Sequence, residues 1–208
     1  MISLIDTTKQ AACDAAMRNM FAARKEVFVD LLGWDVPVLD GRFELDHLDN
    51  EHARYLILAD SSHAHLGSAR LLPTTRPHLL DHLFPELCAG PVPRGPATYE
   101  ITRFCLDRSL AAPRRREVRN RLVTALVEFA LANGIRTYTG VAELPWLRQI
   151  LDFGWDATQL GEPLPTDGRL LGAIRIDITT ETEARLRATG IWLPTDQMAS
   201  TAAQPAHA

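Results

Sequence analysis

The feature that most constrains the fold is a strand followed closely by one long helix in the middle of the chain. Apolar and β-branched residues over 98–107 predict the strand, and Pro113 then opens a helix predicted over 114–132. Apolar side chains recur along one face of this helix, and Asn133-Gly134 is a sequence that ends helices. Because such a helix must pack its apolar face onto a sheet, the pattern predicts a mixed α/β protein.

The remaining apolar patterns add elements on either side of this unit. Apolar side chains at spacings of three, four and seven predict a helix over 10–32. We expect a mixed central sheet with helices on both faces, within a single domain over 1–194. The tail over 195–208 is rich in Ala, Ser, Gln and Pro and is expected to be disordered. Further strands are predicted at 55–59, 66–72, 137–141 and 170–178, and further helices at 79–83 and 145–152.

Composition argues against several classes of protein. No stretch approaches the ~18 consecutive apolar residues of a membrane-spanning helix, and the N-terminus lacks a signal-peptide pattern, so we expect a cytoplasmic protein. The three cysteines have no CxxC spacing, which predicts neither a disulfide framework nor a zinc cluster. The histidines between residues 47 and 65 match no common zinc spacing either, and we expect no metal site.

Charge is unevenly distributed along the chain, although the formal net charge is only −4. From Glu26 to Glu51 there are eight acidic residues and one basic residue, Arg42. From Arg108 to Arg121 there are six arginines and one acidic residue. For a single charge, ordinary solvated surface is the simpler interpretation. The paired asymmetry favours one region that binds a cation and another that binds an anion. The acidic region is too irregular for a long element, and we expect a loop that orders around a ligand.

Several arginines lie within apolar patterns, where a guanidinium needs an anionic partner. Arg24 interrupts the apolar face of the first predicted helix, and Arg70 and Arg103 lie within predicted strands. The partner is either a protein carboxylate, such as Asp46 or Asp49, or the carboxylate of a bound amino acid. For Arg24 taken alone, the protein ion pair is favoured.

Nine residues, several of them named above, form a pattern together with the segments 69–74 and 100–104 and the pair Gly154-Trp155. This pattern resembles the acyl-homoserine-lactone synthases, the autoinducer synthases of quorum sensing. The resemblance spans most of the chain. It implies a GNAT-type acyltransferase fold, in which a splay beside the strand with Glu100 and Arg103 forms the acyl pocket. The nine residues are Arg24, Phe28, Trp34, Asp46, Asp49, Arg70, Phe84, Glu100 and Arg103.

The resemblance also implies an activity and its substrates. An acyl group would pass from acyl carrier protein or acyl-CoA to the amine of S-adenosylmethionine (SAM). The product would then close to a lactone and release methylthioadenosine (MTA). Both reactants are substrates, and the resemblance implies no tightly bound cofactor. From composition and charge we expect no nucleic-acid partner and no membrane partner.

Roles at the SAM site follow from the resemblance and from side-chain chemistry. Glu100 is the expected base, acting directly or through a water, with a purely structural ion pair to Arg103 or Arg70 as the alternative. The carboxylates would hold the ammonium and the sulfonium, and the aromatic faces would contact the sulfonium or the adenine. Arg24 or Arg103 would bind the substrate carboxylate. The residues expected to bind SAM are Arg24, Phe28, Trp34, Asp46, Asp49, Arg70 and Arg103, with Glu100 and Arg103 as the catalytic pair.

The acyl donor would occupy the other half of the site. Phe84, Phe104 and Ala142 are expected in the acyl pocket, and Ala142 stands where the family often has Ser or Thr, which argues against a 3-oxo chain. The start of the long helix would receive the phosphate of the carrier, because unpaired N–H groups and the helix dipole favour an anion there. The arginines expected to bind the carrier or its phosphopantetheine are Arg114, Arg115, Arg116, Arg119 and Arg148.

One geometric condition follows from the strand period of two. Glu100 and Arg103 would point to opposite faces of a regular strand, so a β-bulge between them is required if both line one pocket.

Two alternatives remain open. Another GNAT-type acyltransferase would fit the basic helix start equally well, and the acidic, aromatic N-terminal part argues against it. A nucleic-acid-binding helix over Arg114–Arg121 is disfavoured by the overall acidity and by the arginines in apolar patterns.

Overall fold

An eight-stranded mixed sheet forms the centre of the computed structural model, which describes residues 3–6 and 13–194. Its strands are β1 (Ser3–Asp6), β4 (Arg54–Ala59), β5 (His65–Pro73), β6 (Thr98–Leu106), β7 (Thr137–Glu143), β8 (Asp156–Gln159), β9 (Leu164–Thr166) and β10 (Arg169–Asp177). The order across the sheet is β1-β4-β5-β6-β7-β10-β8, and β9 pairs with β10. Strands β6 and β7 are parallel, and the other paired neighbours are antiparallel.

Helices cover both faces of the sheet, as predicted. On one face, Met20 packs with Ile57 and Leu72 of the sheet. On the other, Leu122 and Leu126 pack with Leu71 and further strand residues. The first face carries α1 (Cys13–Arg24), a π-helix (Lys25–Leu31) and α2 (Leu79–Leu83), whereas the second carries α3 (Ala112–Asn133), α4 (Leu144–Leu151) and α5 (Thr182–Ala188).

The long central helix forms where its sequence predicts it. Proline stands in its first turn, where its missing N–H has no helical partner to lose. Gly134 ends the helix with a left-handed backbone at φ 68°, a conformation that glycine adopts without strain. Val118 and Leu122 on its apolar face are completely buried, so packing onto the sheet stabilises α3.

Strands β6 and β7 separate after a short parallel contact. They pair only from Thr98↔Thr137 to Glu100↔Thr139, although both strands continue beyond these pairs. The predicted splay is therefore present, and it opens beside the segment that contains Arg103.

The predicted bulge in β6 is also present. The register against β5 shifts between Ser68 and Arg70, so that Arg103 and Phe104 together oppose a single residue of β5. Arg103 has φ 49°, which is rare for a residue with a side chain. The bulge lies at Arg103 itself, and it turns this side chain onto the face that carries Arg70 and Glu100.

Some predictions needed correction. The helix predicted over 10–32 changes to a π-helix at Lys25, and its first residues, 10–12, lie outside the described residues. A small hairpin of β2 (Val38–Leu39) and β3 (Phe43–Glu44) lies within the acidic loop. The short strands β1, β8 and β9 and helix α5 were missed, because none has a long apolar pattern. The tail over 195–208 lies outside the described residues. In the described part of the chain, no helix is long and apolar enough to cross a membrane.

Candidate active site

Three arginines and three carboxylates form one buried network on the face of the sheet that carries α1. One arginine ends α1, the second lies in β5, and the third lies in the bulge of β6. The carboxylates come from β3 and the segment after it. The structure therefore brings together charged residues that are far apart in the sequence. The six residues are Arg24, Arg70, Arg103, Glu44, Asp46 and Asp49.

Arg24 is completely enclosed and paired with protein carboxylates. Its Nε donates to Glu44 over 2.5 Å, and its terminal nitrogens donate to Asp49 over 2.8 and 2.9 Å. The residue is 0% exposed, so its guanidinium presents no open side to a ligand. The sequence left two partners open for Arg24, a protein carboxylate or the carboxylate of a ligand. In the structure, Arg24 is paired with protein carboxylates.

Asp49 is surrounded by donors. Besides the hydrogen bonds from Arg24, it accepts from the Tyr55 hydroxyl over 2.7 Å and from the Asp46 N–H over 2.8 Å, and it forms an ion pair with Arg70 over 2.9 Å. Burial alone would raise the pKa of Asp49, but the hydrogen bonds and charge of Arg24 and the charge of Arg70 outweigh it and hold that pKa below its ordinary value. Asp49 therefore stays ionised and holds the arginines in place.

Asp46 joins the other two arginines. Arg70 donates to it over 2.6 and 3.0 Å, and Arg103 over 2.9 Å. Arg70 also bonds Thr102 Oγ1 over 2.9 Å, and Arg103 bonds Glu44 over 2.9 Å. The side chains of Asp46 and Arg103 are 9% and 7% exposed, against 0–1% for the rest of the network. The network therefore reaches the surface at the Arg103–Asp46 pair.

An aromatic wall stands beside this accessible end. The rings of Phe28 and Trp34 stack with centroids 4.7 Å apart, because the π-helix closes with a hydrogen bond from the Trp34 N–H to the Phe28 carbonyl over 2.8 Å. The Arg103 guanidinium lies 5.5 Å from the first ring and 5.7 Å from the second. Arg169 also contacts this wall: it lies over Trp34, pairs with Glu143 over 3.0 Å and donates to the carbonyl of residue 32.

Glu100 is buried beneath the start of α2. Its two oxygens accept the N–H groups of Leu79 and Leu80 over 2.7 and 2.8 Å, and it forms an ion pair with neither Arg70 nor Arg103. Burial raises the pKa of Glu100 to about 7, against the opposing effect of the two N–H groups. A carboxyl group whose pKa lies near neutrality is suited to take up and release a proton.

The residues expected in the acyl pocket do not share one cluster. Phe104 and Ala142 pack against the core beneath α3, where Phe104 contacts Trp146 at 5.3 Å between ring centroids. Phe84 packs with Leu80 of α2 on the opposite face of the sheet. Phe104 and Ala142 thus lie on the two strands that separate, and Phe84 lies on the face of the charged network.

The arginines expected to bind the carrier have different environments. Arg115 donates to the backbone carbonyls of residues 106 and 107, so it holds the connection from β6 to α3. Arg119 lies over the ring of Phe153 at 5.0 Å. Arg114, Arg116 and Arg148 are exposed, and Arg114 pairs with residue 117. Three of the five predicted arginines therefore present charge at the surface.

Sequence reasoning missed four residues of the site: Glu44, Tyr55, Thr102 and Arg169. Glu44 belongs to the acidic run, and Thr102 lies two residues after Glu100 on the same strand face. These positions contained a usable signal. Arg169 contained none, because its contacts depend on how the ends of β7 and β10 meet the π-helix turn.

The structure has a bulged strand, β6, a parallel strand that splays away from it, β7, and between them a helix with a basic start, α3. These features define an acyltransferase of the GNAT-type fold. The family model described as autoinducer synthase matches residues 8–186, so the chain belongs to the autoinducer synthase family. The acyl-homoserine-lactone synthase of Ralstonia nicotianae is 37% identical over 182 residues, which are 84% of this chain and 87% of that one. The predicted family and enzyme class are confirmed.

Solved structures agree with this assignment. The CoA-dependent acyl-homoserine lactone synthase BjaI, with SAM and isopentyl-CoA, gives a TM-score of 0.81 at 28% identity and covers 94% of this chain and 90% of its own. TofI, in a ternary complex with an inhibitor and MTA, gives 0.74 at 33% identity and covers 90% of this chain and 96% of its own.

Proposed function

We propose that the accessible end of the charged network binds the amino-acid part of SAM and presents its amine to an acyl thioester in the splay. The observation that carries this proposal is the Arg103–Asp46 pair, at 2.9 Å, beside the stacked rings of Phe28 and Trp34. A guanidinium and a carboxylate side by side are complementary to a zwitterion. The substrate carboxylate would contact Arg103, and its ammonium would contact Asp46.

The rest of the network supports these two groups. Arg70 holds Asp46 from behind through two hydrogen bonds. Arg24 and Asp49 fix the geometry further inside, where no ligand contact is required. The sulfonium of SAM would lie against the aromatic wall, where a cation–π contact contributes about 0.5–2 kcal/mol.

Acyl transfer then requires an unprotonated amine. The α-amino group has a reference pKa of ~7.7–8.0 and is mostly protonated near neutral pH. Glu100 would take the first proton, directly or through a water. The nitrogen lone pair attacks the thioester carbonyl carbon, the N–C bond forms and the C–S bond breaks. The second proton leaves the nitrogen and passes to the departing thiolate, so the products are an amide and a thiol.

Lactone closure depends mainly on how the substrate carboxylate is positioned. The substrate carboxylate attacks the carbon next to the sulfonium, a C–O bond forms, and the C–S bond breaks. MTA departs as a neutral thioether, so no strong enzyme nucleophile is needed. Arg103 would hold the carboxylate through both steps.

The acyl donor is a phosphopantetheine thioester, carried by CoA or by acyl carrier protein. The similarity to BjaI, a CoA-dependent synthase whose structure was solved with SAM and isopentyl-CoA, supports acyl-CoA as the donor. The exposed Arg114, Arg116 and Arg148 would attract the phosphates or an acidic carrier.

A product assay tests the proposal. The purified chain is incubated with SAM and a panel of acyl-CoA and acyl-carrier-protein thioesters, and products are identified by mass spectrometry. We expect equal amounts of MTA and an acyl-homoserine lactone. A parallel reaction supplies a panel of other amines in place of SAM. Acylation of one of these amines, with no MTA formed from SAM, would instead indicate a different acyltransferase.

A further inference from the structure

Two buried polar atoms near Glu100 have no hydrogen-bond partner within the protein. Thr139 and His78 are both 0% exposed, and the unpartnered atoms are Thr139 Oγ1 and His78 Nε2. Buried polar atoms are nearly always paired, so each exception requires an explanation such as a ligand or a water. In the described residues only two other side-chain atoms, on His65 and Trp192, share this condition.

The sheet register places Thr139 next to Glu100. The two residues are partners in the parallel ladder of β6 and β7, in the last pair before the splay. Partner side chains in a ladder point to the same face, and the two strands lie about 4.8 Å apart there. Val141, two residues further along this face, packs with Leu80 of α2. The hydroxyl of Thr139 therefore lies under α2, at the root of the splay.

His78 adds a second unpartnered atom at the start of the same helix. It immediately precedes Leu79, whose N–H binds Glu100 over 2.7 Å. Its Nδ1 lies 2.9 Å from the carbonyl oxygen of Arg76, so Nδ1 carries a proton and donates it. The Thr139 hydroxyl and the Glu100 carboxylate, which has lone pairs to spare, belong to neighbouring residues of the ladder. Together they supply two polar partners for one water.

We propose that Thr139 is a positioning residue that holds, with Glu100, one water between the substrate amine and the carboxylate. This inference rests on the proposed function. Because Glu100 is 0% exposed and both oxygens already bind backbone N–H groups, a small bridging molecule reaches the carboxylate more readily than the substrate amine does. The water takes one proton from the substrate ammonium and gives one to Glu100, so it is regenerated and the nitrogen keeps its lone pair.

Thr139→Val tests the proposal, because valine has the same shape without the hydroxyl. We expect kcat for lactone formation to fall about 10- to 100-fold, within the range of general-base effects, with the KM for SAM changed less than about twofold. The Tm should not fall, because the hydroxyl has no protein partner to lose. Thr139→Ser, which keeps the hydroxyl, should retain most of the wild-type kcat. Thr139→Ala takes the place of the valine variant if that variant does not fold.

The pH dependence of kcat/KM distinguishes a positioning role of Thr139 from a purely structural one. The charged and titratable groups that face Glu100 are Arg70 of β5, Asp81 of α2 and His78, and the substitution leaves all three in place. Loss of a hydrogen-bonded water raises the pKa of the carboxyl further, so the acid limb of kcat/KM should move to higher pH in Thr139→Val. A high-resolution crystal structure of the wild type should show a water within hydrogen-bond distance of both side chains.

Three results would overturn the inference: wild-type kcat and an unmoved acid limb in Thr139→Val, equal impairment of the valine and serine variants, or a crystal structure without the water. If Glu100→Gln is inactive while Thr139→Val is fully active, only this inference fails. If the wild-type chain makes no lactone from any thioester, the proposed function fails instead.

Discussion

Glu44 gives a sharp test of the buried network, because one carboxylate joins two arginines. Arg24 donates to it over 2.5 Å and Arg103 over 2.9 Å. The side chain is 0% exposed, so solvent does not replace a lost partner. Glu44→Gln keeps the shape, removes the charge and turns one acceptor into a donor that faces a guanidinium.

The expected magnitude follows from burial. Removing one partner of a buried ion pair costs about 3–5 kcal/mol, mainly because the other charge stays buried without compensation. For a chain of this size each kcal/mol lowers the Tm by about 2–4 °C, so Glu44→Gln should lower the Tm by roughly 6–20 °C. Binding of SAM should also weaken, because Arg103 loses the partner that orients it.

Calorimetric or denaturant unfolding measures this change, and Glu117→Gln is the matched control. Glu117 also pairs with two arginines, Arg114 over 2.7 Å and Arg121 over 3.2 Å, but its side chain is 34% exposed. Such surface pairs contribute about 0–1 kcal/mol. Equal Tm values for Glu44→Gln and Glu117→Gln would refute the conclusion that the network is a buried, stabilising core of the site.

Four further outcomes are expected. The pKa of Asp49 lies below its unfolded value, so ionised Asp49 stabilises the folded protein above pH ~4 and this contribution is lost as the pH falls further. The urea concentration at the unfolding midpoint should therefore decline between pH 5 and 3 in the wild type and decline less in Asp49→Asn. The pKa of Glu100 is raised to about 7, so stability should decline as the pH rises from ~4.3 to that value, and Glu100→Gln should remove this decline while lowering kcat about 10²- to 10⁴-fold. Trp34→Ala should raise the Kd for SAM roughly 5- to 30-fold through lost cation–π contact, with Trp34→Phe intermediate in a calorimetric titration. Arg116→Glu should raise the KM for the acyl donor and weaken the salt dependence of that KM, with little change in Tm. Arg115→Ala should instead lower the Tm, because Arg115 binds backbone carbonyls. Steady-state kinetics and thermal unfolding of both variants test these two roles.

The sequence predicted the long elements of the fold because their signals are local. Proline at the start of α3 and Gly134 at its end act through backbone geometry within a few residues. The strands β1, β8 and β9 form because neighbouring strands offer paired hydrogen bonds, and this cause is not local. The π-helix at Lys25 also depends on tertiary packing, since Phe28 and Trp34 must stack beside Arg103.

Within the site, the sequence identified the charged residues better than their pairings. Burial of an arginine in an apolar pattern predicts some anionic partner, and it does not say which. Glu44 was not singled out, although it pairs with two arginines, because nothing in its local sequence separates it from the other acidic residues of the loop. The bulge was predictable, since Glu100 and Arg103 could share a face of β6 only through one extra residue.

Calorimetric titration of SAM into the purified protein tests most directly whether the accessible pair and the aromatic wall form a site for a sulfonium amino acid. S-adenosylhomocysteine, which lacks the sulfonium charge, is the comparison ligand. We predict that it binds about tenfold more weakly than SAM, a difference of roughly 1.4 kcal/mol, and that Trp34→Ala removes most of this difference. Equal affinity for the two ligands, or no binding of SAM with or without an acyl thioester, would contradict the assignment of this site.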